Sequence, residues 1–293
     1  MIYRLSHIYI LPLKYIPSFI KYLILKIFGK NLRNTYLEWV NSLQVSLLYS
    51  NSIYIGENKD VITSFCKENN YNIECRKYPS SDIWVYNHIF GYEKEYKYVC
   101  DLYNEYFKKK EKILIVDAGA NVGYASLYFA NEFKDSKIVA IEPESSNYNM
   151  IHRNIEINNL ETRIFPIKKA LWYNNTFLQL FTEDKNNWGF CVDDVKENNS
   201  NNTIETITFN DILKSQNADF VNIFKIDIEC AEFQIFLDVE RCEDILTKTE
   251  LVAIEIHERA DKYNKILENF KAYGFKHFES GELSIFINEN KTK

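Results

Sequence analysis

From residue 112 onward, short apolar runs rich in β-branched residues alternate with longer amphipathic stretches. The runs Ile113–Val116, Lys137–Ile141, Arg163–Ile167, Val221–Ile226 and Leu251–Ile256 read as buried parallel strands, because a strand covered on both faces loses the in–out alternation of polarity. Helical spacing comes after four of them, at Tyr124–Phe133, Tyr148–Asn158, Cys230–Leu237 and Lys262–Ala272. This alternation predicts an α/β fold, a doubly wound and mostly parallel sheet with helices on both faces. Near the end, Lys276–Phe278 and Leu283–Ile287 flank Gly281 and predict a hairpin that adds antiparallel strands at the sheet edge. Thr176–Thr182 and Thr203–Thr208 predict further strands around an Asn- and Asp-rich loop, residues 183–202, which is a candidate substrate lid.

Ahead of residue 112 the pattern is harder to read. Strand-like patches lie at Ser52–Ile55, Tyr71–Arg76 and Asp82–Ile89. Tyr92–Lys110 places Tyr96, Val99, Cys100, Tyr103 and Phe107 at helical intervals and closes on lysines that suit a solvated helix end. At the N-terminus, Ile16, Ile20, Leu23 and Ile27 form a helical stripe with Phe19 and Ile24 beside it, and Lys14, Ser18 and Lys21 fall on another side. Lysines together with Pro12 and Pro17 interrupt the stretch too often for a membrane span, and no small-residue cleavage site comes after it. The expected role is a helix docked on the body or on a second subunit, the alternative being interfacial attachment to anionic lipid. The implied organisation is an N-terminal helical and mixed extension, with an arm at 1–35 and a mixed α/β segment at 36–110, before a main domain at 111–293.

The 293 residues are 46% hydrophobic and 26% charged, which excludes a wholly disordered chain. Net charge is −6, yet residues 1–37 carry Arg4, Lys14, Lys21, Lys26, Lys30 and Arg33 with no acid, so the remainder carries −12. With no basic tract in that body, nucleic acid is not an expected partner. The 6 cysteines form no C-x-x-C pair, which argues against structural zinc and for reduced, packed thiols in a cytoplasmic protein.

With glycines scarce, 8 in all, the stretch Asp117-Ala118-Gly119-Ala120-Asn121-Val122-Gly123 after the first strand is the most informative. A glycine turn between strand and helix lets backbone approach a nucleotide-like ligand, and Asp117 offers a carboxylate at the strand's end. The dinucleotide pattern G-x-G-x-x-G is not met, because Asn121 and Tyr124 stand where the later glycines would be. Glu142, 19 residues after Gly123 and followed by Pro143, suits the two hydroxyls of a ribose. The next strands deliver Asp227, Glu229 and Glu232, then Glu255, His257 and Glu258, to the same crevice. Its acidity would repel a pyrophosphate and attract a sulfonium with an amino group, so S-adenosylmethionine fits and NAD fits poorly. Glu232 and Glu258 are better read as helix-capping acids.

As an ordered set, IVDAGANVGYAS at 115–126, VAIEPESSNY at 139–148, NIEIN at 154–158, KKAL at 168–171, FKIDIECAEF at 224–233 and VAIEIHE at 252–258 resembles the FkbM-type family of S-adenosylmethionine-dependent methyltransferases. The resemblance implies a class I, Rossmann-like methyltransferase acting on hydroxyl oxygens of sugars, glycolipids or natural products. It implies Asp117, Gly119 and Asn121 at the methionine end of the cofactor, Glu142 at the ribose and the segment around Ala170 at the adenine. The expected cofactor-binding set is Asp117, Gly119, Ala120, Asn121, Gly123, Tyr124, Glu142, Pro143, Ala170 and Asp227. The family's acidic segment reads Asp-x-Glu-Gly-Ala-Glu, and here Cys230 replaces its glycine.

A hydroxyl attacks well only as its proton leaves, so a nearby base matters, and Asp227 and His257 are the catalytic candidates. Trp188, in loop-like surroundings, and Glu229 and Glu255 are substrate-side candidates, and Tyr92 or Tyr96 could stack on a ring. No metal site is assigned, although Asp227, Glu229 and Glu255 offer hard oxygens that suit Mg²⁺. The expected partner is a small-molecule or glycan acceptor, with homo-oligomerisation and a peripheral membrane contact through residues 1–35 as further readings. A noncatalytic binding or scaffold protein on the same fold and a nicotinamide-dependent oxidoreductase are the alternative functions.

Overall fold

The computed structural model describes residues 5–107, 112–182, 190–194, 203–229, 231–257 and 260–292. The described residues fall into two compact units, one up to Glu95 and the other from Tyr96 onward.

In the first unit, 3₁₀ turns at Leu5–Ile10 and Leu13–Tyr15 lead into α1 (Ile16–Ile27), α2 (Tyr36–Tyr49), the strands β1 (Ser52–Glu57), β2 (Val61–Cys66) and β3 (Tyr71–Arg76), and α3 (Asp82–Phe90). The strands form an antiparallel meander. Thr35 caps α2 by accepting the Glu38 N–H, satisfying one of the free donors at the helix start. Tyr15, Phe19 and Tyr22 pack with Trp39, Val40 and Leu43 in one core, so α1 is docked within its own unit. Its stripe is split, however: Phe19 and Tyr22 are buried, whereas Ile20, Ile24 and Ile27 are exposed.

The strand expected at Asp82–Ile89 is the helix α3, because its buried positions, Asp82, Ile83, Tyr86, Ile89 and Phe90, recur at helical intervals. Tertiary contacts select that geometry. The buried Asp82 carboxylate pairs with the Arg76 guanidinium at 2.7 Å and accepts the Arg76 N–H at 2.8 Å, and Asn87 exchanges hydrogen bonds with Ser42 and Ser46 of α2.

The second unit runs α4 (Lys97–Tyr106), β4 (Leu114–Ala118), α5 (Tyr124–Glu132), β5 (Lys137–Ile141), α6 (Ser145–Glu156), β6 (Ile164–Ile167), β7 (Ala170–Leu171), β8 (Phe177–Thr182), β9 (Phe190–Asp194), β10 (Thr203–Ile207), α7 (Phe209–Gln216), β11 (Val221–Ile226), α8 (Glu232–Phe236), α9 (Val239–Lys248), β12 (Thr249–Glu255), α10 (Ala260–Ala272), β13 (Phe275–Ser280) and β14 (Leu283–Asn288). A seven-stranded sheet has the order β13-β14-β12-β11-β4-β5-β6, parallel from β12 to β6, with the expected antiparallel hairpin at one edge. The order of connection reverses between β4 and β11, so a crevice opens outside their carboxyl ends. β4 and β11 are buried along their whole length, which accounts for their near-continuous apolar sequence. A second sheet, β7-β10-β8-β9, fills the region between β6 and α7.

Of the helix expected over Tyr92–Lys110, the described part is the shorter α4, which starts at Lys97, and the predicted apolar positions Tyr96, Val99, Cys100, Tyr103 and Phe107 are buried. Tyr96 packs against Tyr128 and Phe129, so it is a core residue rather than a stacking platform. The features expected at Trp188, Cys230 and Glu258, and most of the loop 183–202, lie outside the described residues.

Candidate functional site

The glycine turn after β4 owes its shape to three left-handed residues, Gly119 (φ 74°), Asn121 (φ 50°) and Gly123 (φ 86°). At Gly119 no side chain fits, because an added Cβ would stand 1.6 Å from the carbonyl oxygen of Asp227. Gly123 has a different duty: it caps α5 and lies against Ile151 of α6, bringing the two helices together. Ala120 and Tyr124 are buried beside them.

Asp117 is fully buried at the end of β4. One of its oxygens accepts the Ser126 hydroxyl at 2.6 Å, and the other lies 3.2 Å from Lys225 Nζ. Lys225 also donates to the Gly119 carbonyl at 2.7 Å and stands 3.7 Å from Asp227, so one buried ammonium braces the turn between two strand-end carboxylates. Sequence reasoning does not single out this lysine as a site residue. The available signal is a lysine inside an otherwise apolar buried strand, VNIFKI, which needs an anionic partner.

Glu142 is buried at the end of β5, where its two oxygens accept the N–H groups of Asn121 at 2.8 Å and Glu144 at 2.9 Å. Burial outweighs those donors and pushes its carboxyl up to about 7. The carboxylate is thereby oriented, and each oxygen retains a further lone pair. In the residue whose N–H Glu142 accepts, the Oδ1 of Asn121 is buried with no hydrogen-bond partner, the kind of orphan acceptor that a ligand donor satisfies. Pro143 is half-buried next to Glu142. Ala170 pairs with β10 and packs with Trp172, Leu178 and Ala231.

The carboxyl ends of β11 and β12 bring Asp227, Glu229, Glu255 and His257 together. His257 Nε2 lies 3.1 Å from Glu255, 3.5 Å from Glu229 and 3.8 Å from Asp227, and Nδ1 lies 3.2 Å from the fully buried Glu232. Burial acts to lower the imidazole pKa, but hydrogen bonds to Glu232 and Glu255 overcome it and push it up to about 12. Carboxylates only accept, so both ring nitrogens carry protons, and the imidazolium has no lone pair for a substrate proton. That arrangement favours a holding role for His257 over the general-base role the sequence suggests. Burial, reinforced by Asp227, raises Glu229 to about 7, and burial also raises Asp227, against the pull of Lys225. Asp227, Glu229 and His257 each offer a ligand atom within 4.8 Å of the others, a spacing compatible with a divalent cation.

Glu232, at the first position of α8, accepts the Ile228 N–H at 3.0 Å and lies 3.2 Å from His257 Nδ1. Glu229 is left-handed, with φ 50°. Tyr92 is 71% exposed.

The model of the FkbM methyltransferase domain matches residues 117–277 of the chain. Methyltransferase 1 of Beauveria bassiana is 27% identical over 145 residues, covering 41% of this chain and 56% of that protein. Methyltransferase sdnD of Sordaria araneosa is 46% identical over 44 residues, 15% of this chain and 17% of that protein. The chain therefore spans about half, or less, of the length of these curated relatives. Among solved structures, methyltransferase FkbM from Methylobacillus flagellatus KT is similar at 15% identity and a TM-score of 0.43, over 71% of this chain and 53% of that one.

Proposed function

The chain belongs to the FkbM methyltransferase domain family, and from that premise we propose that it transfers a methyl group from S-adenosylmethionine to a hydroxyl of a sugar, a glycolipid or another natural-product acceptor. The observation that carries the reading is the set of acids, Asp117, Glu142, Asp227, Glu229 and Glu255, at the carboxyl ends of four neighbouring strands, with two buried or half-buried cations, Lys225 and His257, among them. Such a crevice favours a cationic ligand over a pyrophosphate.

When bound, the cofactor would supply an electrophilic methyl group: the acceptor oxygen would bond to the methyl carbon as the carbon–sulfur bond breaks in line, with S-adenosylhomocysteine as the leaving group. On this reading Glu142, held by the Asn121 and Glu144 N–H groups, accepts from the ribose hydroxyls. Asn121 Oδ1 and the strand-end carboxylates receive the amino group, and Gly119 keeps the backbone open beside them. The segment around Ala170 lies toward the adenine. Asp227, raised by burial, takes the hydroxyl proton, with Glu229 beside it. His257 is a positioning residue: its two N–H groups hold Glu232 and Glu255 and set the outline of the acidic wall. Positioning then supplies most of the acceleration, and the base adds about 10²- to 10⁴-fold.

Thermal unfolding with S-adenosylmethionine, S-adenosylhomocysteine, NAD and NADP tests the proposal. Ligand at 100 times its dissociation constant adds about 2.7 kcal/mol to the folded state, so a shift with both adenosyl ligands, reduced in Glu142→Gln, is expected. A shift with the nicotinamide ligands alone overturns the reading, and no shift with any ligand favours a noncatalytic protein.

A further inference from the structure

The N-terminal helix has two faces, and only one is explained by the fold. Phe19 and Tyr22 are buried in the core of the first unit. On the opposite side of the same helix and its exit turn, Ile20 (40% exposed), Ile24 (48%), Ile27 (81%) and Phe28 (74%) form a continuous apolar strip, and Leu13 (85%) precedes it. In α1, residues three, four and seven apart share a face, so the large aliphatics at 20, 24 and 27 present a single surface.

The arm's own charged residues are all basic. Lys21, Lys30 and Arg33 are exposed beside it, and residues 1–37 contain no acid. Two other lysines of the arm are already engaged, Lys14 with Glu57 and Lys26 with Glu38 at 3.8 Å. A second copy of this chain applied face to face would bring like charges together. An anionic lipid surface instead accepts the aliphatics among its acyl chains and the lysines and arginine among its headgroups. Crossing a membrane is not involved: no helix among the described residues is long and apolar enough, and the 12 residues of α1 span only about 18 Å.

We propose that α1 is an interfacial anchor that lays Leu13, Ile20, Ile24, Ile27 and Phe28 into an anionic bilayer surface, with Lys21, Lys30 and Arg33 at the headgroups. The inference is independent of the methyl-transfer reading, because none of these residues belongs to the crevice. If both hold, the acceptor is presented at a lipid surface.

Co-sedimentation of the full chain with phosphatidylcholine vesicles, with and without phosphatidylglycerol, tests it. Binding is expected to the phosphatidylglycerol vesicles and to fall as salt rises. The variant Ile24→Asp/Ile27→Asp should weaken binding more than about tenfold, and Lys21→Glu/Lys30→Glu at least about tenfold. Both pairs are solvent-exposed, so unchanged circular dichroism and an unchanged adenosyl-ligand thermal shift serve as controls for folding. Failure of the wild type to sediment with anionic vesicles overturns the proposal, as does binding by either variant that matches the wild type. A dimer in solution that dissolves in Ile24→Asp/Ile27→Asp, without vesicle binding, would assign the face to a second copy instead.

Discussion

Gly119 and Asp227 are in backbone contact: the turn after β4 presses against the carbonyl at the end of β11 so closely that a Cβ on Gly119 would lie 1.6 Å from that oxygen. The two strand ends that flank the crevice are thus held at a spacing only glycine permits. Gly119→Ala must separate them and also adopt φ near 74°, so a loss of about 3 kcal/mol is expected in urea unfolding, together with loss of the adenosyl-ligand thermal shift. A variant as stable and as ligand-responsive as the wild type would refute this close approach.

Lys225 and Asp117 form a buried pair at 3.2 Å, so removing either partner leaves an uncompensated charge. Lys225→Met is expected to cost about 3–5 kcal/mol, and the double variant Lys225→Met/Asp117→Asn to recover part of that cost. Additive losses in the double-mutant cycle would mean that the two side chains act independently.

Glu229 is held up at about 7, mainly by burial and then by Asp227. Between its ordinary value of 4.5 and about 7 the folded chain keeps a proton that the unfolded chain has lost, so stability falls as pH rises through that window. Glu229→Gln should therefore be nearly neutral below about pH 4 and stabilising by about 1–2 kcal/mol near pH 8, a figure reduced for partial solvent screening. A gain that is the same at both pH values would remove the titration as its cause.

His257 has the opposite dependence. Its pKa is raised from 6.5 to about 12, so the ion pairs with Glu232 and Glu255 contribute fully below about pH 6.5 and are lost as pH rises toward 12. The stability gap between wild type and His257→Gln is expected to be widest near pH 6 and to narrow in alkali. A gap that grows with pH would show that the ring is neutral in the folded chain.

Both oxygens of Glu142 accept backbone N–H groups, so in Glu142→Gln one of those donors faces an NH₂ group. About 1–3 kcal/mol of stability is expected to be lost, with adenosyl-ligand affinity weakened about 10- to 100-fold by calorimetry. An unchanged affinity would move the ribose away from this residue.

The α/β class and most of the main sheet are legible in the chain's polarity pattern: Lys137–Ile141 and Val221–Ile226 are strands at the bounds their apolar runs announce, because strands buried on both faces write their burial directly into the pattern. The acids of the crevice were legible for a related reason, since parallel strands deliver the residues at their carboxyl ends to one end of the sheet. Other features depended on neighbours remote in sequence. Residues 82–89 satisfy the strand pattern as well as the helical one, and the Arg76–Asp82 pair and the bonds from Asn87 to α2 select the helix. Lys225 stands at the site only because β4 and β11 lie side by side, and Glu232 and Glu255 reach the two ring nitrogens of His257 only through the packing of their elements. Periodicity records which positions are buried, but protonation and ion pairing depend on distances between side chains that only the tertiary structure sets.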